Sequence, residues 1–468
     1  MVSSITNPDI QPALDMINIK APIYNQYIDY YEGRQQLNFA TVKWRAAFGS
    51  LFKQFADNLC APIVDAAADR LKITAFTAVS GDSVAKEIDQ IWRQNRMDRK
   101  AGAVHEHCLK VGDAYVIIWP DADGFPVFTP NPAHQMCIYY ADDGETPLWA
   151  AKLWRVDSAG TQTRGYPWRL NLYYPNSIEK YVTRSNMSSK PSRAGAFEPF
   201  PVPGEVWPLP NPYSQVPVFH FANQPEMGVW GKSELWDIVP LQDALNKSIA
   251  DMLVAMEYVS LPQRWATGLE VEVDPQTNQP IIPLLAAINR MWSNPDPEGR
   301  FGQFEQANLE HFSKVQNDLR LEMARISRTP LHYLSLGGSS NNSFVSSIYP
   351  SGESQKVAEA PFVSKLEDRQ TTYGDTWENA VAFALKIAGL EVMATDIETT
   401  WLDAKPRSET DDITNAIRKY KELGLPIEVV LEEIGYSKAV IDRVVPPTPP
   451  VQAPVQQEEE EEMENAKT

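Results

Sequence analysis

The stretch from Gly228 to Leu261 constrains this chain more than any other. Apolar residues fall at Ile238, Leu241, Leu245, Ile249, Met252, Met256 and Val259. Those steps of three and four residues are the spacing of one helix face. Gln242, Asn246, Lys247, Asp251 and Glu257 take the remaining faces. Pro240 suits a first helical turn, where its missing N–H leaves no bond unmade, and Pro262 stops the helix. The reading from Pro240 to Leu261 is a rod about 33 Å long. A rod with one apolar stripe needs a partner, and much of the chain reads as supplying one.

The second half of that pair follows an insert. Arg264 to Val273 reads as a strand, and Ser293 to Gly299 is dense in turn residues. A second helix is expected from Glu305 to Arg328, with Leu309, Phe312, Val315, Leu319, Met323 and Ile326 on its apolar face. Two helices of similar length around a short insert favour an antiparallel pair with the insert at its tip. Stem-type packing is therefore expected from Leu241, Leu245, Ile249, Met252 and Met256 against Leu319 and Met323. Beyond them, Leu334 to Ser351 is rich in Gly, Ser and Asn and reads as a flexible loop. A third long helix begins at Gly352, with Leu366, Tyr373, Trp377, Val381, Ala384 and Ile387 as its stripe and a kink expected at Pro361.

The N-terminal half is helical to about Leu71, then alternates between strand and helix up to Lys110. From Asp113 onward the strand signals take over, with hairpin dipeptides at Asp123-Gly124 and Asp143-Gly144. The expectation is an α+β chain with one antiparallel sheet packed on the preceding helices. A Pro- and Ser-rich loop covers Met187 to Pro217, and Val218 to Phe221 is a last short strand. After Ala388, Trp401 sits in an extended piece, and three small helices follow at about 409–423, 427–434 and 438–444. The final residues turn Pro-rich, then acidic, and are expected to be disordered.

Charge decides what the surface can hold. The net charge is -19, and removing a tail net of -5 from Pro446 onward leaves -14 on the folded part. Such a surface does not clamp DNA, which needs clustered Lys and Arg, although it does not exclude a protein that surrounds DNA without gripping it. No apolar run reaches the ~20 residues of a membrane span. The N-terminus has neither a basic nor an apolar leader segment. Cys60, Cys108 and Cys137 lack metal or disulfide spacing and read as buried thiols.

Gly231-Lys232-Ser233 matches the end of a phosphate-binding loop. That motif needs glycine five positions earlier, where Glu226 stands and its charge would repel phosphate. The alternative is a turn in which Ser233 caps the following helix. His105 and His107 lie at i and i+2, pointing apart on a helix, so no shared metal ion and no cofactor is expected. No nucleophile–base pattern stands out, and the expectation is a protein that is not an enzyme.

The order of these parts resembles the portal proteins of tailed double-stranded-DNA bacteriophages. The resemblance is carried by Tyr30-Tyr31-Glu32-Gly33, the run from Gly231 to Tyr258, Thr329-Pro330-Leu331 before the Gly/Ser loop, and Thr400 to Ser437. None of these is a catalytic signature. Their joint order implies a wing at 1–232 and stem helices at 233–261 and 305–333. It also implies a small α/β clip at 262–304, a tunnel loop at 334–351, a kinked wing helix at 352–390, a helical crown at 391–445 and an acidic tail at 446–468. It further implies a homo-dodecameric ring at one capsid vertex of the virion, assembled in the host cytoplasm. Terminase, head–tail adaptors, major capsid protein and scaffolding protein are the expected partners, with no membrane.

Double-stranded DNA would pass without sequence readout along Gly337, Gly338, Ser339, Ser340, Asn341, Asn342 and Ser343. Lys314, Arg320, Arg325 and Arg328 would make weak, screened phosphate contacts, or else pair with acids on a neighbouring helix; both readings stand open. The rival functions are a nucleotide-binding packaging or remodelling enzyme using Gly231 to Ser233, and another phage adaptor or tail component.

Overall fold

The computed structural model describes residues 7–35, 57–79, 81–156, 167–225, 229–260, 264–267, 275–276, 300–303, 309–334, 352–405, 409–427, 430–431 and 441. The chain divides into two units, Met1–Ala404 and Lys405–Thr468.

In the first unit, α1 (Ile10–Tyr31) and α2 (Cys60–Ala68) precede β1 (Ile73–Ala78), α3 (Asp82–Gln94) and α4 (Met97–Val111). A run of strands follows: β2 (Asp113–Pro120), β3 (Pro126–Pro132), β4 (Met136–Tyr140), β5 (Pro147–Arg155), β6 (Trp168–Tyr173), β7 (Ser177–Thr183), β8 (Phe197–Pro199), β9 (Leu209–Pro210) and β10 (Val218–Ala222). Then come α5 (Val239–Ser260), β11 (Arg264–Thr267), β12 (Arg300–Gln303), α6 (Glu310–Ser327), α7 (Leu331–Leu334), α8 (Gly352–Ile387) and β13 (Ile397–Trp401). The fold is a mixture of helix and antiparallel sheet, as the patterning predicts.

The single expected sheet is two. β10–β2–β3 forms one, while β4 to β8 form a second in which β9 pairs with β7. Both predicted hairpins form, β2–β3 at Asp123-Gly124 and β4–β5 at Asp143-Gly144. The sheets separate because α1 reaches both. Its first turns bury Ile10, Ala13, Leu14 and Ile17 with Leu153, Leu170 and Leu172 of the second sheet. Its last turns carry Tyr24, Tyr27 and Tyr30 into the main core. Residues spaced three and four apart thus serve two cores in succession.

The axis of the main core is α8. It continues as helix through Pro361. Phe362, Leu366, Tyr373, Trp377 and Phe383 are all buried along it. His105 of α4 is sealed against this helix. Its Nε2 accepts from Trp377 Nε1 at 2.8 Å, its Nδ1 lies 3.0 Å from the Leu71 carbonyl, and its ring stacks on Tyr373. Burial lowers its pKa to about 4, so the imidazole is a neutral core group and no ligand. His107 accepts from the Ala133 N–H instead, so the two histidines do part.

β13 pairs antiparallel with β1, which places residues 391–404, assigned by resemblance to the crown, within the first unit. In the second unit, α9 (Glu409–Glu422) buries Ala416 and leaves Ile413, Ile417 and Tyr420 exposed, as is Leu423 just after it. The two later predicted helices lie almost wholly outside the described residues.

Candidate functional site

The turn at Gly231-Lys232-Ser233 leads into α5. Residues 234–238 are turns, and α5 starts at Val239 with Pro240 in its first turn, as the sequence reading of a rod from Pro240 has it. Ser233 Oγ accepts from the Leu235 N–H at 3.0 Å and donates to the Lys110 carbonyl at 2.6 Å. Three neighbouring N–H groups are spent. Gly231 donates to Asp113 Oδ1, Lys232 to the Asn223 carbonyl and Glu234 to the Leu109 carbonyl. A phosphate-binding loop needs those N–H groups free and converging. Gly231 is also pressed on Gly112 so closely that an added Cβ would lie 1.9 Å from the Gly112 oxygen. This glycine serves the joining of two backbones.

Two buried polar clusters grip this turn. In the first, Asp113 accepts from Tyr24 at 2.5 Å, from His220 Nε2 at 2.8 Å and from the Gly231 N–H at 2.8 Å. Tyr140 lies 3.0 Å from the other His220 nitrogen. Burial would raise the Asp113 pKa, but the bond and charge of His220, with Lys20, hold it below the usual carboxylate range. Lys20 in turn sits over the Trp230 ring, and burial lowers its pKa to about 8.

In the second cluster, Glu234 bridges Lys365 at 3.0 Å and Arg369 at 2.7 Å, both on α8. All three side chains are 5% exposed or less. Burial alone would raise the Glu234 carboxyl, yet the two cations hold it at about 2. Lys365 also donates to the Ser327 carbonyl at the end of α6, so one lysine ties the turn before α5 to the end of α6.

The predicted helix pair forms. α5 and α6 pack on each other, and β11 and β12 pair antiparallel just beyond α5 and ahead of α6. Leu245 and Met323 are fully buried, and Leu241, Ile249 and Leu319 pack against the core. Met252 is half-buried and accepts from Gln316 Nε2, whereas Met256 is exposed.

The predicted stripe of α6 splits. Val315 and Ile326 face outward, and the buried side runs through Gln316, Met323, Ala324 and Ser327. Two of the polar residues on the remaining faces of α5 are buried. Gln242 is buried, bonding the Leu59 N–H and the Asp57 carbonyl. Asn246 is 1% exposed, and neither amide atom has a partner among the described residues.

The four candidate phosphate contacts on α6 have different surroundings. Arg320 pairs with Asp57 at 2.8 Å, and Arg325 with Glu322 on its own helix. Lys314 is exposed. Arg328 is exposed too, in a left-handed conformation (φ 53°) that ends α6. Gly337 to Ser343 lie outside the described residues, as does most of the predicted clip.

Sequence reasoning missed Glu234, Lys365 and Arg369 as a unit. The only local signal was two cations at i and i+4 inside an apolar stripe, too common to single out. Among the described residues there is no group of three or more His, Cys, Asp or Glu that could hold a metal ion, and no helix is long and apolar enough to cross a membrane.

Residues 18–435 match the family described as "Phage portal protein, SPP1 Gp6-like". The chain is 25% identical over 399 residues to a portal protein of Mycobacterium phage D29, covering 80% of this chain and 75% of that protein. To a portal protein of Mycobacterium phage L5 it is 23% identical over 394 residues, covering 80% and 74%. Among solved structures it is similar to a chain in the neck of a native gene transfer agent particle computed with C12 symmetry, at 13% identity and a TM-score of 0.42, covering 80% and 88%. A chain in the neck of an empty particle of that kind, computed with C6 symmetry, gives 13% identity and a TM-score of 0.45, covering 84% and 92%.

Proposed function

Because the chain belongs to the SPP1 Gp6-like family of phage portal proteins, we propose that it assembles as a ring of twelve copies at one capsid vertex and forms the conduit through which the genome passes. The observation that carries this reading is the family match across residues 18–435. The α5–α6 pair supports its geometry. One flank is sealed by Leu245 and Met323, while Met256, Val315 and Ile326 stay exposed for a neighbouring copy. On this reading the α5–α6 pair is the stem, residues 262–304 the clip that meets terminase and later the head–tail adaptors, and 334–351 the loop beside DNA. Capsid and scaffolding proteins surround the outer face.

An acidic wall keeps DNA hydrated and unattached during transit, while Lys314 and Arg328 offer weak, screened contacts. The motor is a separate terminase, and this chain is a structural conduit without ATPase chemistry. The spent N–H groups of residues 231, 232 and 234 support that division.

Negative-stain microscopy of the purified chain tests the reading. Twelve-fold rings with a central channel are expected. Monomers, filaments or hexamers alone at high concentration would overturn it.

A further inference from the structure

Two stretches that carry the resemblance to portal proteins, Tyr30-Tyr31-Glu32-Gly33 and the run from Gly231 to Tyr258, meet where α1 ends beside α5. The Tyr30 hydroxyl donates to Asp243 Oδ1 at 2.9 Å, across 213 positions of sequence. Residues 57–59, just ahead of α2, complete the junction. Asn58 Nδ2 donates to the Tyr31 carbonyl at 2.7 Å, which ties them to the end of α1. Gln242 of α5 accepts from the Leu59 N–H at 3.0 Å and donates to the Asp57 carbonyl at 2.5 Å. Arg320 of α6 donates from Nη2 to Asp57 Oδ2 at 2.8 Å and from Nη1 to Asn317 of its own helix at 3.1 Å. One short segment thus holds α1, α5 and α6 at once.

Gln242 is 0% exposed and uses both ends of its amide. An amide set between a backbone donor and a backbone acceptor is directional at both ends, so it fixes the rotation of α5 as well as its distance. The apolar contacts of Leu59 and Cys60 beside it are not directional and tolerate sliding. Arg320 and Asp57 are partly exposed, so their pair adds little stability, but it fastens α6 to the same three residues.

We propose that Gln242 and Arg320 are positioning residues that set the tilt of α5 and α6 against α1, and thereby the number of copies in the ring. The proposal rests on the conduit reading. In a closed ring each copy is turned from the next by about 30° for twelve copies and about 28° for thirteen. A difference of roughly 2° at the far end of a 22-residue helix, about 33 Å long, is a displacement of about 1 Å. That is the scale on which a hydrogen bond is made or lost. Copies that touch through both the α5–α6 pair and the rest of the unit close at one number only when the angle between those parts is held this finely.

The test images the full chain by negative stain and counts the rotational symmetry of the rings. Gln242→Met keeps the length of the side chain but bonds neither Leu59 nor Asp57. Arg320→Gln removes the tie from α6 at a partly exposed site, and decides alone where Gln242→Met gives no soluble protein. Leu153→Ala, in the core of the second sheet, lowers stability without touching the junction and is the control. Twelve-fold rings should predominate in the parent and in Leu153→Ala. In the junction variants the twelve-fold share should fall by roughly half or more, with eleven- and thirteen-fold rings in its place.

An unchanged share in either soluble junction variant, beside a twelve-fold parent, would overturn the proposal and leave the conduit reading standing. An equal shift in Leu153→Ala would do the same, because lost stability alone would then explain it. A parent that forms no rings would overturn both.

Discussion

Replacing Glu234 with glutamine keeps the shape of the root of α5 but removes its charge and turns one of its two acceptor oxygens into a donor. Lys365 and Arg369 then remain buried, at 3% and 5% side-chain exposure, with no carboxylate between them. Two routes give the magnitude. Breaking one partner out of a buried ion pair costs about 3–5 kcal/mol. Holding a carboxyl at about 2 against an ordinary 4.5 corresponds to roughly 3 kcal/mol of favourable charge interaction. Glu234→Gln should therefore lower the unfolding free energy by about 3 kcal/mol at neutral pH, measured by urea denaturation of parent and variant.

The pH dependence gives an independent check. The folded pKa of Glu234 is depressed, so its stabilisation is present above the unfolded value of 4.5 and is lost as pH falls towards 2. Parent and variant should differ most above pH 5 and converge on acidification. Asp113 also loses stabilisation in acid, but it is present in both proteins and cancels. A difference below about 1 kcal/mol at pH 7, or one that persists unchanged through acid, would refute the reasoning.

Gly231→Ala should be more harmful than the ~1–3 kcal/mol of ordinary overpacking, because the new Cβ meets backbone atoms at 1.9 and 2.6 Å that no side-chain rotation can relieve; soluble yield and thermal midpoint would register it. Asn246→Leu should stabilise the chain by about 1–3 kcal/mol, since it removes two buried amide atoms without partners, and a loss of stability would show that the amide is satisfied elsewhere. Deleting Gly337 to Ser343 should leave ring assembly intact in micrographs but impair DNA packaging or retention, and loss of rings would mean the segment is misplaced.

Much of the fold was legible because it is written in local periodicity. The stripe of α5, the hairpins at Asp123-Gly124 and Asp143-Gly144, and the core helix carrying Tyr373 and Trp377 are each set by residues close in sequence. What was not legible depends on partners far along the chain. Gln242 looks solvent-facing on a helical wheel, but it satisfies backbone groups of residues 57 and 59. Val315 and Ile326 fit the apolar stripe of α6, yet Gln316 and Ser327 occupy the buried side. Periodicity reads hydrophobicity, and here a buried glutamine and serine break the rule that hydrophobicity alone faces inward. The Glu234–Lys365–Arg369 cluster joins residues 131 and 135 positions apart, beyond any local signal.

If α5 and α6 form a stem, as proposed, the distribution of these exceptions follows the demands on it. Toward its tip and outer flank, apolar residues such as Met256 and Val315 are exposed, a surface that accepts a range of close orientations. At its root the contacts are directional: Gly231 against Gly112, Ser233 on Lys110, and Lys365 reaching both Glu234 and Ser327. Hydrogen-bonded charges tolerate little displacement, whereas apolar contacts tolerate sliding. A pair of helices held this way keeps a fixed direction relative to the sheets while its flanks adjust to neighbours. That is the mechanical requirement for a wall built from repeated copies: each stem must be aimed by its own chain before the ring closes. Any variant that loosens the root should therefore disturb ring geometry before it abolishes association, and Glu234→Gln is the mildest such change.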